Sequence, residues 1–257
     1  MTSQINNCNQ HFSIEDYAVK KLSVSLDQIG LLRESRKIRT PDPVTAAGVA
    51  EIAGADSISI HIRLDRRGIK ERDLYLLKET CKTRLNLNIS PKSEMLSMIS
   101  EVKPHEVTVL PERATELYTE RGISFENEEE YDPDLFGQIQ GAGSRLFLMV
   151  EPETADIKAA AKAGCAGVQL YSLAYTTVRT ETERQVELDK IAKAAELAAK
   201  NDLEVRLGGG LNYNNIFPFL KIDEISEFVI GHAIVAQALM VGLAKAVEDM
   251  VTIVKWS

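Results

Sequence analysis

The residues best placed for chemistry fall at the ends of apolar runs. In "SISIHIR" (57–63), Ile58, Ile60 and Ile62 share one face of a strand while Ser57, Ser59, His61 and Arg63 share the other. An inward histidine beside an arginine can transfer a proton or orient an anion, although a lone buried histidine is also a common structural element. The stretch "VRLGGGLNYNN" (205–215) places Gly208, Gly209 and Gly210 after another strand, and "FVIGHAIV" places Gly231 and His232 at the start of a helix. Backbone N–H groups at such turns present positive dipole ends to an anion, so these five residues are phosphate-binding candidates. Glycines also serve tight turns, and it is the paired location that favours phosphate.

Other inward positions are polar too. They include Ser23, Ser25 and Asp27 of the first strand, Asn86 and Asn88 of the third, and Gln169 and Tyr171 of the sixth. A barrel held by packing alone would fill these places with branched aliphatics, because buried polar groups are costly without partners. The pattern therefore points either to a ligand site, with Asp27, Arg63, Asn88, Gln169 and Tyr171 as substrate contacts, or to a self-satisfied hydrogen-bond network. Arg33, Arg36 and Arg39 fall in what reads as a loop after the first strand and could hold a second anion, as could any exposed cluster of arginines.

These residues must be positioned by a repeating architecture. Short β-like runs ("KLSVSL", "SISIHI", "LNLNI", "EVTVLP", "RLFLMV", "GVQLYS", "EVRLGG", "SEFVI") alternate with helical patterns, giving eight strand–helix units after an N-terminal extension of residues 1–20. Eight consecutive units predict a single-domain α/β fold, a (β/α)8 TIM barrel with extra helical elements over 21–257; an open doubly wound sheet is the alternative. The helix after the seventh strand is expected over "NNIFPFLKI". The acidic stretch "SFENEEEYDP" (124–133) reads as a solvated loop between the fourth strand and its helix, or as a lid over the barrel mouth.

Composition excludes several classes. The chain has 257 residues, 44% of them hydrophobic and 26% charged, with a formal charge of -8. The acidic balance argues against nucleic-acid binding, and no apolar run reaches the length of a membrane helix. Cys8, Cys81 and Cys165 are odd in number and far apart, so neither a disulfide framework nor a zinc site is expected. With no secretory pattern in the first twenty residues, a cytoplasmic protein is expected. No metal or cofactor is called for.

The segments "TPDPVTAAGVAEIAGADSISIHIRLDRRGIKERDL", "TRLNLNI", "LPER", "GGGLNYNN" and "IGHAIVAQALMVGL", in this order and spacing, resemble the pyridoxine 5'-phosphate synthase family. The resemblance runs from about residue 21 to the end of the chain. It implies an oligomeric (β/α)8 barrel that joins 3-amino-2-oxopropyl phosphate to 1-deoxy-D-xylulose 5-phosphate, releasing one phosphate and water. It carries over His61 as the acid–base group, Arg63 and Arg36 as substrate contacts, and Gly210, Gly231 and His232 as the phosphate site.

The departures fall on titratable groups. Where the family has glutamates this chain has Asn88 and Gln169, and where it has histidines this chain has Gln28, Gly68 and Gly209. Amides form hydrogen bonds but do not exchange protons near neutral pH. The sequence thus predicts a divergent, repurposed condensing or isomerising enzyme that binds a phosphorylated or other anionic metabolite. The rival is a non-catalytic barrel that binds a metabolite or a protein partner, favoured if Arg206 or Tyr171 fills the space beside Gly209.

Overall fold

A computed structural model describes residues 19–113, 115–126 and 130–256. Most of the expected N-terminal extension, residues 1–18, lies outside the described residues, as do 127–129 of the acidic stretch. Eight parallel strands close in chain order into one barrel: β1 (Lys21–Ser25), β2 (Ser57–Ile62), β3 (Arg84–Ile89), β4 (Glu106–Val109), β5 (Arg145–Val150), β6 (Gly167–Tyr171), β7 (Glu204–Gly208) and β8 (Ile225–Ile230). β8 pairs with β1 through Ser23↔Val229 and Val24↔Ile230, which completes the ring. The protein is a single-domain (β/α)8 barrel; the open-sheet alternative falls.

Alternation along the strands sorts the two faces. Ile58, Ile60 and Ile62 of β2, Leu85 and Leu87 of β3 and Leu146 and Leu148 of β5 are buried against the helices. The helices are α1 (Asp27–Glu34), α2 (Pro43–Ile52), α3 (Glu71–Thr80), α4 (Leu96–Val102), α5 (Pro133–Gly141), α6 (Thr154–Lys162), α7 (Leu173–Thr177), α8 (Glu181–Lys200), α9 (His232–Val241) and α10 (Leu243–Trp256). Local signals set their ends. Thr180 and Glu183 form a capping box that starts α8, and the Asp132 carboxylate accepts from Leu135 N at 3.0 Å to start α5 behind Pro133.

Three expectations need correction. Of the arginine-bearing segment after β1, Arg33 lies in helix α1 and not in a loop, whereas Arg36 and Arg39 follow the helix in irregular backbone, and Asp27 is the first residue of that helix and not the end of a strand. Arg33 turns inward from α1 to form a two-pronged pair with Asp73 (2.8 and 2.5 Å), whereas Arg36 and Arg39 stay exposed. The segment after β7 forms only a short 3-10 helix, Phe217–Lys221. Pro218 supplies no N–H, and five residues are too few to nucleate an α-helix cheaply.

The lower half of the barrel interior is built from charge. Arg206, 1% exposed, reaches Glu106 Oε1 at 2.7 Å and Glu227 Oε2 at 2.9 Å. Arg84 pairs with the same two carboxylates at 2.8 Å each, Arg145 adds a contact to Glu106 at 3.2 Å, and Ser57 Oγ donates to Glu227 at 2.7 Å. The Arg206 guanidinium lies 3.5 Å from the Phe147 ring centroid. Gly167 permits this packing, since a Cβ there would come within 2.5 Å of the Phe147 ring. Above the layer, Asn86 donates to Asn88 Oδ1 (2.9 Å) and Ser59 Oγ (3.1 Å), Asn88 donates to Ser59 Oγ (3.0 Å), and Thr108 donates to Asn86 Oδ1 (2.9 Å).

Removing one member of a buried charge layer strands the others. Arg206→Met is expected to destabilise the protein by about 3–5 kcal/mol in urea unfolding, and adding Glu227→Gln should recover part of that loss. A loss below about 1 kcal/mol would show that the layer contributes little.

Candidate functional site

The strand C-termini surround a cavity of about 580 Å³, within the usual range for small-molecule sites. Asp27, His61, Asn88, Gln169, Tyr171, Gly209, Gly210, Gly231 and His232 line it, so most of the sequence-derived candidates meet at one place. A smaller cavity of about 90 Å³ adjoins it and shares Asp27, Gln28, Leu31, His61 and Leu117–Thr119. Arg63 and Arg67 open onto the smaller space. Arg36 lines neither cavity and Gly208 lies just outside the lining, behind the amide of Gln169.

His61 stands at the centre. β2 carries it inward one step above Ser59, and its backbone N–H donates to Asp27 Oδ1 at 2.7 Å. Ser25 Oγ donates to the other Asp27 oxygen at 2.8 Å, so α1, β1 and β2 are tied together through one carboxylate. The imidazole is 10% exposed, and its Nε2 has no hydrogen-bond partner among the described residues. Glu112 Oε2 lies 3.6 Å from Nε2, a contact too long for a formed hydrogen bond.

Glu112 is the functional residue that reading the strands did not single out. It follows β4 in the "LPER" segment, and its side chain is 3% exposed. Burial alone would raise its carboxyl, but His61, the Leu64 N–H (3.1 Å to each oxygen) and Arg63 (3.3 Å) together hold it below the ordinary glutamate range. The signal available in the sequence was a carboxylate beside a proline at a strand C-terminus, which is the catalytic end of such barrels.

Arg63 is less free than its strand position implied. Its guanidinium donates to the Glu116 carbonyl at 3.2 Å and to Asp65 at 3.3 Å, and Arg67 donates to the same Glu116 carbonyl at 2.9 Å. Both arginines fasten the segment after β4 across the mouth. That segment presents Leu117, Tyr118 and Thr119 to the cavity. The cover is thus the stretch just before the acidic run. Of the acidic run itself, Ser124 N donates to Glu130 (3.0 Å), and Tyr131 packs between Phe125 and Phe136.

The glycine turn and Tyr171 are shaped around each other. Gly209 has φ +106, where side chains are strained, and a Cβ there would lie 2.5 Å from Tyr171 Cε2. Tyr171 therefore fills the space beside Gly209, whereas Arg206 stays in the lower charge layer. The Tyr171 hydroxyl donates to the Thr119 carbonyl, and burial with nearby Glu151 pushes its phenol up. Ser172 braces the turn by donating to Gly208 O (3.0 Å) and Gly209 O (2.7 Å). Across the cavity Gly231 precedes α9, and the helix N-terminus with exposed His232 faces the same space.

The amides divide into two kinds. Both polar ends of Asn88 are engaged by Asn86 and Ser59, so it belongs to the network below the cavity as well as to its wall. Gln169 has only the Met149 sulfur near its Nε2 (3.5 Å), and its Oε1 is buried without a partner, as is Oε1 of Gln28.

Among solved structures, the barrel is similar to phosphoribosyl anthranilate isomerase from Thermus thermophilus (TM-score 0.56, 12% identity, covering 90% of this chain and 96% of that one). It is also similar to thiamine phosphate pyrophosphorylase from Pyrococcus furiosus (TM-score 0.56, 16% identity, 93% and 96%). At these identities the likeness concerns the fold alone. Sequence relatives say more. Pyridoxine 5'-phosphate synthases from Synechococcus sp. (strain JA-2-3B'a(2-13)) and Geotalea daltonii are each 42% identical to this chain. The first match covers 89% of this chain and 96% of the relative, the second 92% and 99%. The family model described as pyridoxal phosphate biosynthesis protein PdxJ matches residues 22–256. The chain belongs to the PdxJ family, whose model spans nearly the whole of the closed barrel described above.

Proposed function

We propose that this barrel binds a phosphorylated small metabolite at its C-terminal mouth and passes protons through a single couple, His61 and Glu112, in an isomerising step and not in the many-step condensation. The observation that carries the reading is the His61 imidazole, buried and turned to the cavity with Nε2 unpartnered beside an ionised carboxylate. Such an imidazole can take a proton from a carbon next to a ketone, hold it as an imidazolium opposite Glu112, and return it to a neighbouring atom. The N–H groups of the first turn of α9 lack intrahelical acceptors, and with those at Gly209 and Gly210 they supply the phosphate cradle.

The condensation needs more proton carriers than this cavity holds. Asn88 and Gln169 stand where the resemblance expects glutamates, and Gln28, Gly68 and Gly209 where it expects histidines. Each missing acid–base group costs about 10²- to 10⁴-fold in rate, although losses within one unit do not simply multiply. Tyr171 deepens the change, because a side chain at 209 would collide with its ring. The same observation favours a second reading, a non-catalytic barrel that binds the metabolite or a partner.

One experiment separates these readings. The protein is incubated in D2O with 1-deoxy-D-xylulose 5-phosphate, with and without 3-amino-2-oxopropyl phosphate, and followed by mass spectrometry and thermal shift. The expected outcome is a phosphate-ester-dependent thermal shift and deuterium uptake that disappears in His61→Ala, with no pyridoxine 5'-phosphate formed. Pyridoxine 5'-phosphate made by the wild type and lost in His61→Ala would show that the condensation survives. A shift without exchange favours the binder, and no shift removes the phosphate site.

The Tyr171 tether has its own test. Tyr171→Phe keeps the ring and loses the hydrogen bond to Thr119, so ligand release measured by stopped flow should quicken about five- to tenfold, the value of one such bond. Unchanged release would mean that the tether does not hold the cover.

A further inference from the structure

The cavity's polar atoms differ in sign from what a doubly charged ligand requires. Among its described lining residues there is no lysine or arginine, and the one carboxylate is Asp27. Both oxygens of Asp27 already accept hydrogen bonds, from the His61 N–H and Ser25 Oγ. Two amide oxygens, Gln28 Oε1 and Gln169 Oε1, are buried with no donor to satisfy them among the described residues, and the Gln169 residue is 7% exposed. A carbonyl oxygen left in this state costs stability unless a ligand donates to it.

We infer that the ligand has one phosphate and a neutral, hydroxyl-bearing body whose O–H groups donate to Gln169 and Gln28. This rests on the phosphate-ester reading above and names the ligand class within it. An ammonium group would enter a wall with no uncommitted carboxylate, and an amide dipole does not neutralise a buried cation. A carboxylate would find amide N–H groups but no lysine or arginine among the described lining residues to neutralise it. The phosphate differs because the helix N-terminus and glycine turn offer it donors. Gln169 is then the specificity-determining residue. In the position where the resemblance expects a glutamate, it keeps an acceptor and removes a charge, which turns the site from amino phosphates towards polyol phosphates.

The test compares four probes of similar size by calorimetry: glycerol 3-phosphate, phosphoethanolamine, 3-phosphoglycerate and inorganic phosphate. Glycerol 3-phosphate is expected to bind about tenfold tighter than the other three, in keeping with satisfied against unsatisfied hydrogen bonds. Gln169→Met, which preserves shape beside Met149, should erase that advantage and leave inorganic phosphate unchanged. Gln169→Glu should strengthen phosphoethanolamine about tenfold and weaken 3-phosphoglycerate. If the glutamate variant does not fold, the methionine variant and the wild-type ranking decide the matter. Equal binding of phosphoethanolamine or 3-phosphoglycerate and glycerol 3-phosphate by the wild type, or no effect of Gln169→Met, overturns the inference while the phosphate site stands. Failure of all four probes to bind overturns both.

Discussion

Arg206 lies inside a parallel barrel between Glu106 and Glu227, and every polar feature above it depends on that pairing. Eight strands pointing alternate residues inward leave an interior that is either filled with aliphatics or satisfied group by group. Here it is satisfied from below. Arg84, Arg145 and Arg206 oppose Glu106, Glu204 and Glu227 at the strand N-termini, and the Asn86, Asn88, Ser59 and Thr108 network forms the next level. At the C-terminal level the pairing stops, and Gln28, His61 and Gln169 each keep a polar atom without a partner.

The same alternation explains what could be read from the sequence. Period-two patterning in "SISIHIR" and "LNLNI" placed His61 and Asn88 inward without knowledge of neighbours, and eight repeats of strand and helix predicted closure. What the pattern could not distinguish was a satisfied polar group from an open one. Asn88 and Gln169 are both inward amides, yet one is bound on both ends and the other has a free oxygen, since the difference lies in which residues of adjacent strands stand opposite them. That depends on barrel register, with Asn88 beside Thr108 and His61, and Gln169 beside Met149 and Arg206.

Long-range contacts from loops were hidden for a related reason. Glu112 reaches His61 across 51 positions of sequence, and neither has a period that announces the other. The inward arginine after β1 is Arg33, which lies within α1, whereas Arg36 falls in the exposed turn that follows the helix. Tyr171, with Arg206, is a side chain the sequence offers for the space beside Gly209. Its meaning comes from Gly209, whose φ of +106 and missing Cβ leave the only room for the ring.

Gly209 and Tyr171 therefore act as one unit, and the unit shapes the cavity wall. A histidine in that turn and a tyrosine at the end of β6 compete for the same volume. With the tyrosine in place the cover is tied at Thr119, the turn is held by Ser172, and the proton-carrying groups reduce to His61 with Glu112 behind it. Under the isomerising reading proposed above, an imidazole with one carboxylate is enough to move one proton between neighbouring atoms. The replaced glutamates follow the same logic. The amide at 169 keeps an acceptor beside Met149 at no charge, in a cavity with no lysine or arginine among its described lining residues. Under the proposed reading, fewer proton carriers and an uncharged wall at 169 go together at the top of an otherwise conventional barrel.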